Sequence, residues 1–170
     1  MSLTQLRNLG IVANAGISTT KLGAGAVLQA VTATTTTETT VSSTTLTDTT
    51  LTASITPSST SNKILVLVCQ SIHGYRDGSN YATVKWSLLR ESTAIWEGAN
   101  GDNGNVFFYD YGGSGLNIFL PMPLIILDSP STTSSTTYKT QVARGANGGT
   151  AARAQPESNK SSITLLEIKG

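Results

Sequence analysis

Apolar and polar positions alternate through most of the chain after residue 26, which is the spacing of β-strands with one buried face. The strongest segment, residues 63–72, reads KILVLVCQSI and is apolar at nearly every position. Such a run predicts a strand that is either buried on both faces or central in a sheet. Residues 81–90 alternate more strictly, with apolar residues at every second position from Ala82 to Leu88. These patterns predict sheets rather than helices.

Weaker strand patterns fill the rest of the chain, and turns rich in glycine, asparagine and proline separate them. They cover residues 27–33, 46–55, 93–97, 106–111, 117–128, 136–144 and 162–168. Pro121 and Pro123 cannot donate ladder hydrogen bonds, so their strand is expected at a sheet edge or a bulge. Residues 145–159 are expected to form a loop.

About eight to ten short strands without an internal helix predict an all-β domain, an antiparallel two-sheet sandwich. A jelly-roll-like arrangement is the first choice. An immunoglobulin-like sandwich is the alternative, although the Cys-Trp-Cys signature of antibody domains is missing.

The N-terminal residues 1–25 differ from this domain, which we place at residues 26–170. Ser2 can cap a short leucine-bearing helix, and the glycine-punctuated stretch after it predicts an extended arm. A helix of about two turns is marginal in water, so its apolar residues need a partner. That partner is the same domain, a sister chain or another protein. The predicted attachment residues are Leu3, Leu6, Leu9, Ile11 and Val12.

Hydroxyl side chains replace much of the usual charge. The chain has 47 Ser or Thr residues, against 11 Lys or Arg and 10 Asp or Glu, and its net charge is +1. Nucleic-acid binding depends on clustered Lys or Arg side chains, which this composition does not supply. No apolar stretch approaches the ~18 residues of a membrane-spanning helix, and the N-terminus does not have the pattern of a cleaved export signal. We therefore expect neither nucleic-acid binding nor membrane insertion.

Catalytic chemistry has few candidate groups, because the chain holds one histidine, His73, and one cysteine, Cys69. His73 is expected to be an ordinary loop histidine, since no G-x-S-x-G nucleophile motif accompanies it. Cys69 lies within the apolar run and is expected to be a small core residue. One Cys and one His cannot complete a tetrahedral zinc site. The chain is therefore expected to be non-enzymatic, with no metal and no cofactor.

Aromatic residues near the predicted loops suggest a second function, because aromatic faces stack on sugar rings while Asn and Asp bind the hydroxyls. The alternative is that Trp86, Phe107 and Phe119 fill the core while the tyrosines cover its ends. The candidate glycan or partner residues are Tyr75, Tyr81, Trp96, Asp102, Asn103, Phe108, Tyr109 and Tyr111.

Several strand segments resemble short β-structured virion proteins of tailed bacteriophages, especially those of cyanobacterial and marine hosts. The resemblance runs from Ile17 to the C-terminus. The segments that carry it are GAVLQAV at residues 25–31, LTASITP at 51–57, SNKILVLV at 61–68, LLR at 88–90, LDSP at 127–130, YKTQV at 138–142 and ITLLEI at 163–168.

This resemblance implies a jelly-roll or sandwich domain, commonly a homotrimer, that projects from a capsid, neck or tail. In many relatives the matching domain ends a longer fibre, whereas here only about 25 residues precede it. The resemblance thus implies a virion location and favours a capsid decoration (cement) protein, with a short head, neck or tail fibre as a variant. The expected partners are other copies of the chain, a capsid, neck or tail protein reached through the N-terminal arm, and, in the alternative, a host surface glycan.

Overall fold

The computed structural model describes residues 21–75, 81–98, 104–109, 117–146 and 149–170. Over these residues the chain forms strands joined by turns, with a short 3₁₀ turn at Pro156–Ser158. The strands are β1 (Val27–Thr35), β2 (Thr39–Val41), β3 (Thr47–Ile55), β4 (Lys63–Tyr75), β5 (Tyr81–Arg90), β6 (Thr93–Glu97), β7 (Val106–Tyr109), β8 (Asn117–Asp128), β9 (Thr136–Arg144), β10 (Ala151–Ala154) and β11 (Ser161–Ile168).

The strands form two antiparallel sheets. In sheet A, β11 and β10 follow one another along one side of β4, and β8 pairs with the other side. Beyond them, β1 pairs with β11 and β2 pairs with β10. In sheet B, β9 lies between β3 and β5, while β6 and β7 share the far side of β5. Each sheet is therefore four strand positions wide.

The connections follow the jelly-roll pattern. Three pairs of strands each share one position in a sheet: β1 with β2, β6 with β7, and β10 with β11. Numbered along the chain, the eight positions are then β1/β2, β3, β4, β5, β6/β7, β8, β9 and β10/β11. In these numbers the order of positions is 1-8-3-6 in sheet A and 2-7-4-5 in sheet B. Two Greek keys wound into two facing sheets have this order. The predicted all-β two-sheet sandwich is confirmed, and the order is that of the jelly roll rather than of the immunoglobulin alternative.

Most strand boundaries agree with the alternating pattern, but two predictions were wrong. Residues 145–159 were expected to be a loop, yet β10 lies inside this segment and pairs with β4 and β2. Its sequence, AARA, has neither β-branched residues nor alternation, so neighbouring strands fix its conformation. His73 was expected in a loop, but it lies within β4 and is only 1% exposed.

The core lies between the inner faces of the two sheets, and Trp86 is its largest fully buried side chain. A chain of hydrogen bonds crosses it. Trp86 Nε1 donates to Gln70 Oε1 at 2.6 Å, and Gln70 Nε2 donates to Thr49 Oγ1 at 3.2 Å. The hydroxyls of Thr49 and Thr140 lie 2.6 Å apart. Since Gln70 belongs to sheet A and the other three belong to sheet B, these bonds fix how the sheets face each other.

A second polar cluster joins the sheets at the end of the sandwich where β8 finishes. Arg90 Nη1 lies 2.9 Å from both carboxylate oxygens of Asp128, and the Tyr138 hydroxyl donates to Asp128 at 2.7 Å. Burial and the neighbouring Asp128 carboxylate raise the pKa of Tyr138, so its hydroxyl stays protonated. Each group in this cluster has a partner, so the cluster serves to hold the sheets together.

Glu167 anchors the loop between β3 and β4. Its side chain is 1% exposed and accepts hydrogen bonds from Gln29 Nε2 (2.6 Å), Asn62 Nδ2 (2.5 Å), and the Ser58 backbone nitrogen (2.6 Å) and hydroxyl (2.8 Å). Burial by itself raises the pKa of this carboxyl. The hydrogen bonds outweigh burial and hold the pKa below its ordinary value of 4.5. The carboxylate thus ties β1, β11 and the loop together.

Glu167→Gln is expected to lower the free energy of unfolding at neutral pH by about 2 kcal/mol. The amide nitrogen of Gln cannot accept a hydrogen bond, so some of the donors from Gln29, Ser58 and Asn62 would lose their acceptor. The fold stabilises the ionised form, so this contribution is present above pH 4.5 and is lost as the pH falls through the lowered folded-state pKa. Denaturant titrations across this pH range measure the effect. The two proteins should converge in stability at the acid end.

Glu157→Gln is the matched control, since it makes the same change at an exposed side chain. It should alter the unfolding free energy by no more than about 0.5 kcal/mol. An equal loss in both variants, or a wild-type advantage that does not depend on pH, would contradict the role given to Glu167.

Candidate functional site on the outer face of sheet A

The outer face of sheet A, which points away from the core, carries a cluster of apolar side chains. Leu65 of β4 pairs with Leu127 of β8 on one side and with Leu166 of β11 on the other. One step along the strand, Leu67 pairs with Ile125. Paired residues project from the same side of a sheet. We call this surface the apolar face, and it consists of Leu65, Leu67, Cys69, Ile125, Leu127 and Leu166.

The described part of the chain leaves the apolar face open to solvent. Ile125 is 67% exposed and Leu127 is 53% exposed, while Val27, at the nearby corner of the sheet, is 54% exposed. Cys69 was expected in the core, and that prediction was wrong, because it is exposed on this face. Residues 64–69 are apolar on both sides of the strand, but the sandwich covers only one side.

The edge of this face is formed by β8, which pairs with β4 alone within the described part of the chain. The expectation of an edge strand is therefore confirmed. Pro121 and Pro123 lie opposite Ser71 and Cys69. Neither proline has an N–H to offer to a further strand, so this edge is poorly suited to extending the sheet.

The outer face of sheet B differs sharply in chemistry. Lys139 Nζ donates to Asp48 Oδ2 at 2.6 Å, and Gln141 Nε2 donates to Asp48 Oδ1 at 2.7 Å. The hydroxyls of Ser54 and Thr137 lie 2.9 Å apart. Charged, amide and hydroxyl groups are well solvated and gain little from a partner. The two outer faces are therefore not equivalent, and the exposed apolar cluster is on sheet A.

The other end of the outer face of sheet A is aromatic and charged. The His73 ring stacks on Phe119 with centroids 4.5 Å apart, and Arg153 Cζ lies 5.9 Å from the centre of the Tyr75 ring. Arg153 Nε also lies 3.8 Å from Glu38 Oε1. The Thr40 hydroxyl, which donates to Glu38 at 2.7 Å, is the main cause of a lowered pKa at that carboxyl.

A shallow hollow adjoins this aromatic end. It is lined by Ser71, Phe119, Pro121, Asn159 and Lys160. Phe119 was considered as a core residue, but it is 36% exposed and lies on the outer face of sheet A, beside the hollow. An aromatic ring, an amide and an ammonium group thus lie together at the surface, which is a set of groups that can contact a sugar.

The structure separates the predicted glycan residues. Tyr75 ends β4 in sheet A, whereas Trp96 belongs to β6 in sheet B and packs edge-on against Trp86 at 5.2 Å. Tyr81, Phe108 and Tyr109 lie in the paired strands β5 and β7. Asp102, Asn103 and Tyr111 are outside the described residues. The two of these side chains that the structure describes, Tyr75 and Trp96, therefore do not form one surface.

The predicted attachment residues also lie outside the described residues; they are Leu3, Leu6, Leu9, Ile11 and Val12. What the sequence interpretation missed is the apolar face. Its signal was present, because residues 64–68 and 124–127 are apolar at odd and even positions alike. For residues 63–72 that pattern was interpreted as a strand buried on both faces or central in a sheet; β4 is central in sheet A, but only its inner face is buried.

Within residues 21–170, less the gaps noted above, no group of three or more His, Cys, Asp or Glu side chains is placed to hold a metal ion. In the same residues no helix has the length and apolar character needed to cross a membrane. The buried Glu167 carboxylate and the partly buried Asp128 carboxylate accept hydrogen bonds within the fold.

No family model matches the chain, and no curated protein matches it. Among solved structures, it is similar to three from infectious bursal disease virus, each matched over 85% of this chain. They are the T13 viral particle (TM-score 0.42, 11% identity, 36% of that chain), virus-derived T=1 particles (0.38, 12%, 37%) and the VP2 subviral particle (0.37, 13%, 34%). The chain spans about a third of the length of these viral particle proteins, and identities this low transfer no function to it.

Proposed function

We propose that the chain is a non-enzymatic structural protein of a tailed-phage particle, either a capsid decoration protein or a short head, neck or tail fibre. The observation that carries this proposal is the apolar face. Soluble proteins that act alone seldom leave large aliphatic side chains clustered on an otherwise polar surface, and such clusters mark contact sites. The polar outer face of sheet B is suited to remain in water.

The resemblance of the strand segments to virion proteins of tailed phages supports the part of this proposal that places the chain in a phage particle. The jelly roll agrees with what that resemblance implies, although the same fold also occurs in lectins and other proteins. Function must therefore be argued from the surfaces. Those described here offer a contact face and hydrogen-bonded polar clusters, and these features favour assembly over catalysis.

The start of the domain is held in a way that suits an N-terminal anchoring arm. Gly25 N donates to Lys169 O at 2.8 Å, and Lys169 N donates to Ala26 O at 2.9 Å. Lys169 Nζ also donates to Leu22 O. Residues 22–26 are therefore held against Lys169, at the corner where β1 begins and β11 ends. In the proposed function, Leu3, Leu6, Leu9, Ile11 and Val12 attach the domain to a capsid, neck or tail protein.

Particles purified from a culture that produces this chain are expected to contain it. The full-length variant Leu6→Asp/Leu9→Asp should reduce its copies per particle by at least about tenfold, because two carboxylates would have to be desolvated in an apolar contact. Quantitative mass spectrometry of purified particles measures the copy number. Ser54→Lys/Thr56→Lys, on the polar side of sheet B, should leave it unchanged.

Absence of the wild-type chain from purified particles would contradict the proposed function. Undiminished incorporation of the leucine variant would contradict attachment through the arm. Circular dichroism should show that the variant domains remain β-structured, so that a loss of incorporation reports attachment rather than misfolding.

A second candidate function is recognition of a host surface glycan, and the hollow beside Phe119 favours it. Phe119 offers an exposed ring, and Asn159 and Lys160 offer an amide and a cation beside it. Tyr75 and Arg153 extend the aromatic and charged character of this end. The ammonium group would suit a saccharide with a carboxylate, such as a uronic acid.

This candidate predicts binding of the purified chain on an array of bacterial surface polysaccharides. Phe119→Ala should weaken that binding by at least about tenfold, because aromatic stacking on the sugar is lost. Ser54→Ala, on the opposite outer face, is the control and should bind like wild type. If the wild-type chain binds no polysaccharide on the array, or if Phe119→Ala binds as well as wild type, the proposal that this hollow recognises a glycan is contradicted.

A further inference from the structure

We infer that the apolar face is covered by a second copy of this chain. This inference rests on the proposed function, since it names one partner within the assembly. It goes beyond that function because it assigns self-association to the outer face of sheet A and to the neighbouring edge strand β8.

The charge distribution favours an identical copy as the occupant. Among the outward-facing residues of positions 63–69 on β4 and of their partners on β8 and β11, Lys63 at the rim is the charged residue. Asp128 and Glu167 lie opposite the buried Ile64 and so belong to the inner side of the sheet. Interfaces between unlike proteins commonly use complementary charges to select the partner. This face offers almost no charge to complement, whereas two uncharged copies can meet without desolvating an ion.

The size of the face indicates that β8 takes part in the contact. The sheet is four strands wide here. At a spacing of about 4.8 Å and a rise of about 3.3 Å per residue, residues 63–69 and their neighbours cover about 20 Å by about 20 Å, or about 400 Å². An interface of standard size buries about 800 Å² per partner. The flat face supplies about half of that area, so the contact must extend around an edge.

The edge strand β8 has the composition to supply the rest. Its inward residues Met122, Leu124 and Ile126 pack against the core but are only partly buried, and its outward residues Ile125 and Leu127 are exposed. Pro121 and Pro123 prevent a neighbouring copy from extending the ladder along that stretch. The second copy therefore meets β8 and the apolar face through side chains rather than by adding a strand.

Cys69 provides a probe at this surface. It is the one cysteine of the chain, and it lies exposed on the apolar face between Pro123 and Ser162. A second copy on the face would shield its thiol, and the shielding would increase with protein concentration. Shielding by another part of the same chain would not depend on concentration.

The experiment uses the full-length purified chain. Sedimentation velocity gives its mass over a wide concentration range, and the rate of maleimide labelling at Cys69 is measured at the same concentrations, with Cys69→Ser as the background. Wild type is expected to be oligomeric, with labelling that slows as concentration rises. Ile125→Lys/Leu127→Lys should weaken self-association by about a hundredfold or more and restore fast labelling, because two ammonium groups would have to be desolvated.

The matched control is Ser54→Lys/Thr56→Lys, which places the same two charges at the same spacing on the sheet B side, at and just beyond the end of β3. It should remain oligomeric with a shielded thiol. A monomeric wild type, concentration-independent shielding of Cys69, or an oligomer that survives Ile125→Lys/Leu127→Lys would each overturn the inference.

The two proposals can fail separately. A wild-type chain that is monomeric in solution yet present in purified particles would overturn only self-association through the apolar face. An oligomer that depends on the apolar face but is absent from particles would overturn only the virion role.

Discussion

A two-sheet sandwich has only one core, and this constraint governs the molecule. Each sheet can bury one face against the other, so apolar residues on the remaining face stay in contact with water. In sheet A, β4 and β8 are apolar on both faces. The inner residues Ile64, Val66 and Val68 are buried, whereas Ile125 and Leu127 on the outer face are not. The fold therefore leaves apolar surface that only a further contact can remove from water.

Several polar side chains between and beside the two sheets are hydrogen-bonded to one another, so they need no partner outside the domain. Gln70 and Trp86 connect the two sheets across the core, Asp128 connects them at one end, and Glu167 holds a loop against β1 and β11. Buried polar groups are costly unless they are hydrogen-bonded, and these groups stabilise a single arrangement of the sheets. These hydrogen-bonded groups thus serve the fold, whereas the outer face of sheet A carries exposed apolar side chains that the fold itself does not use.

Much of the fold could be predicted from the sequence, because period-two alternation is a local property that the sheets preserve. The boundaries of β5, β6, β8 and β9 agree with the pattern. The strand β10 could not be found in this way, since AARA has no local preference and owes its conformation to pairing with β4 and β2. His73 and Cys69 were misplaced for a related reason. The sequence shows that a strand is apolar, but the topology of the sheets determines which face of that strand packs against the other sheet.

The proposed virion role and the proposed self-association both require the outer face of sheet A to be buried in the assembled state. A cryo-electron microscopy reconstruction of the particle, with this chain located in the map, tests this requirement most directly. We expect Leu65, Ile125 and Leu127 to lie against protein density, while Asp48 and Lys139 of sheet B face solvent. A reconstruction in which the apolar face points into water, with no protein over it, would contradict burial of this face.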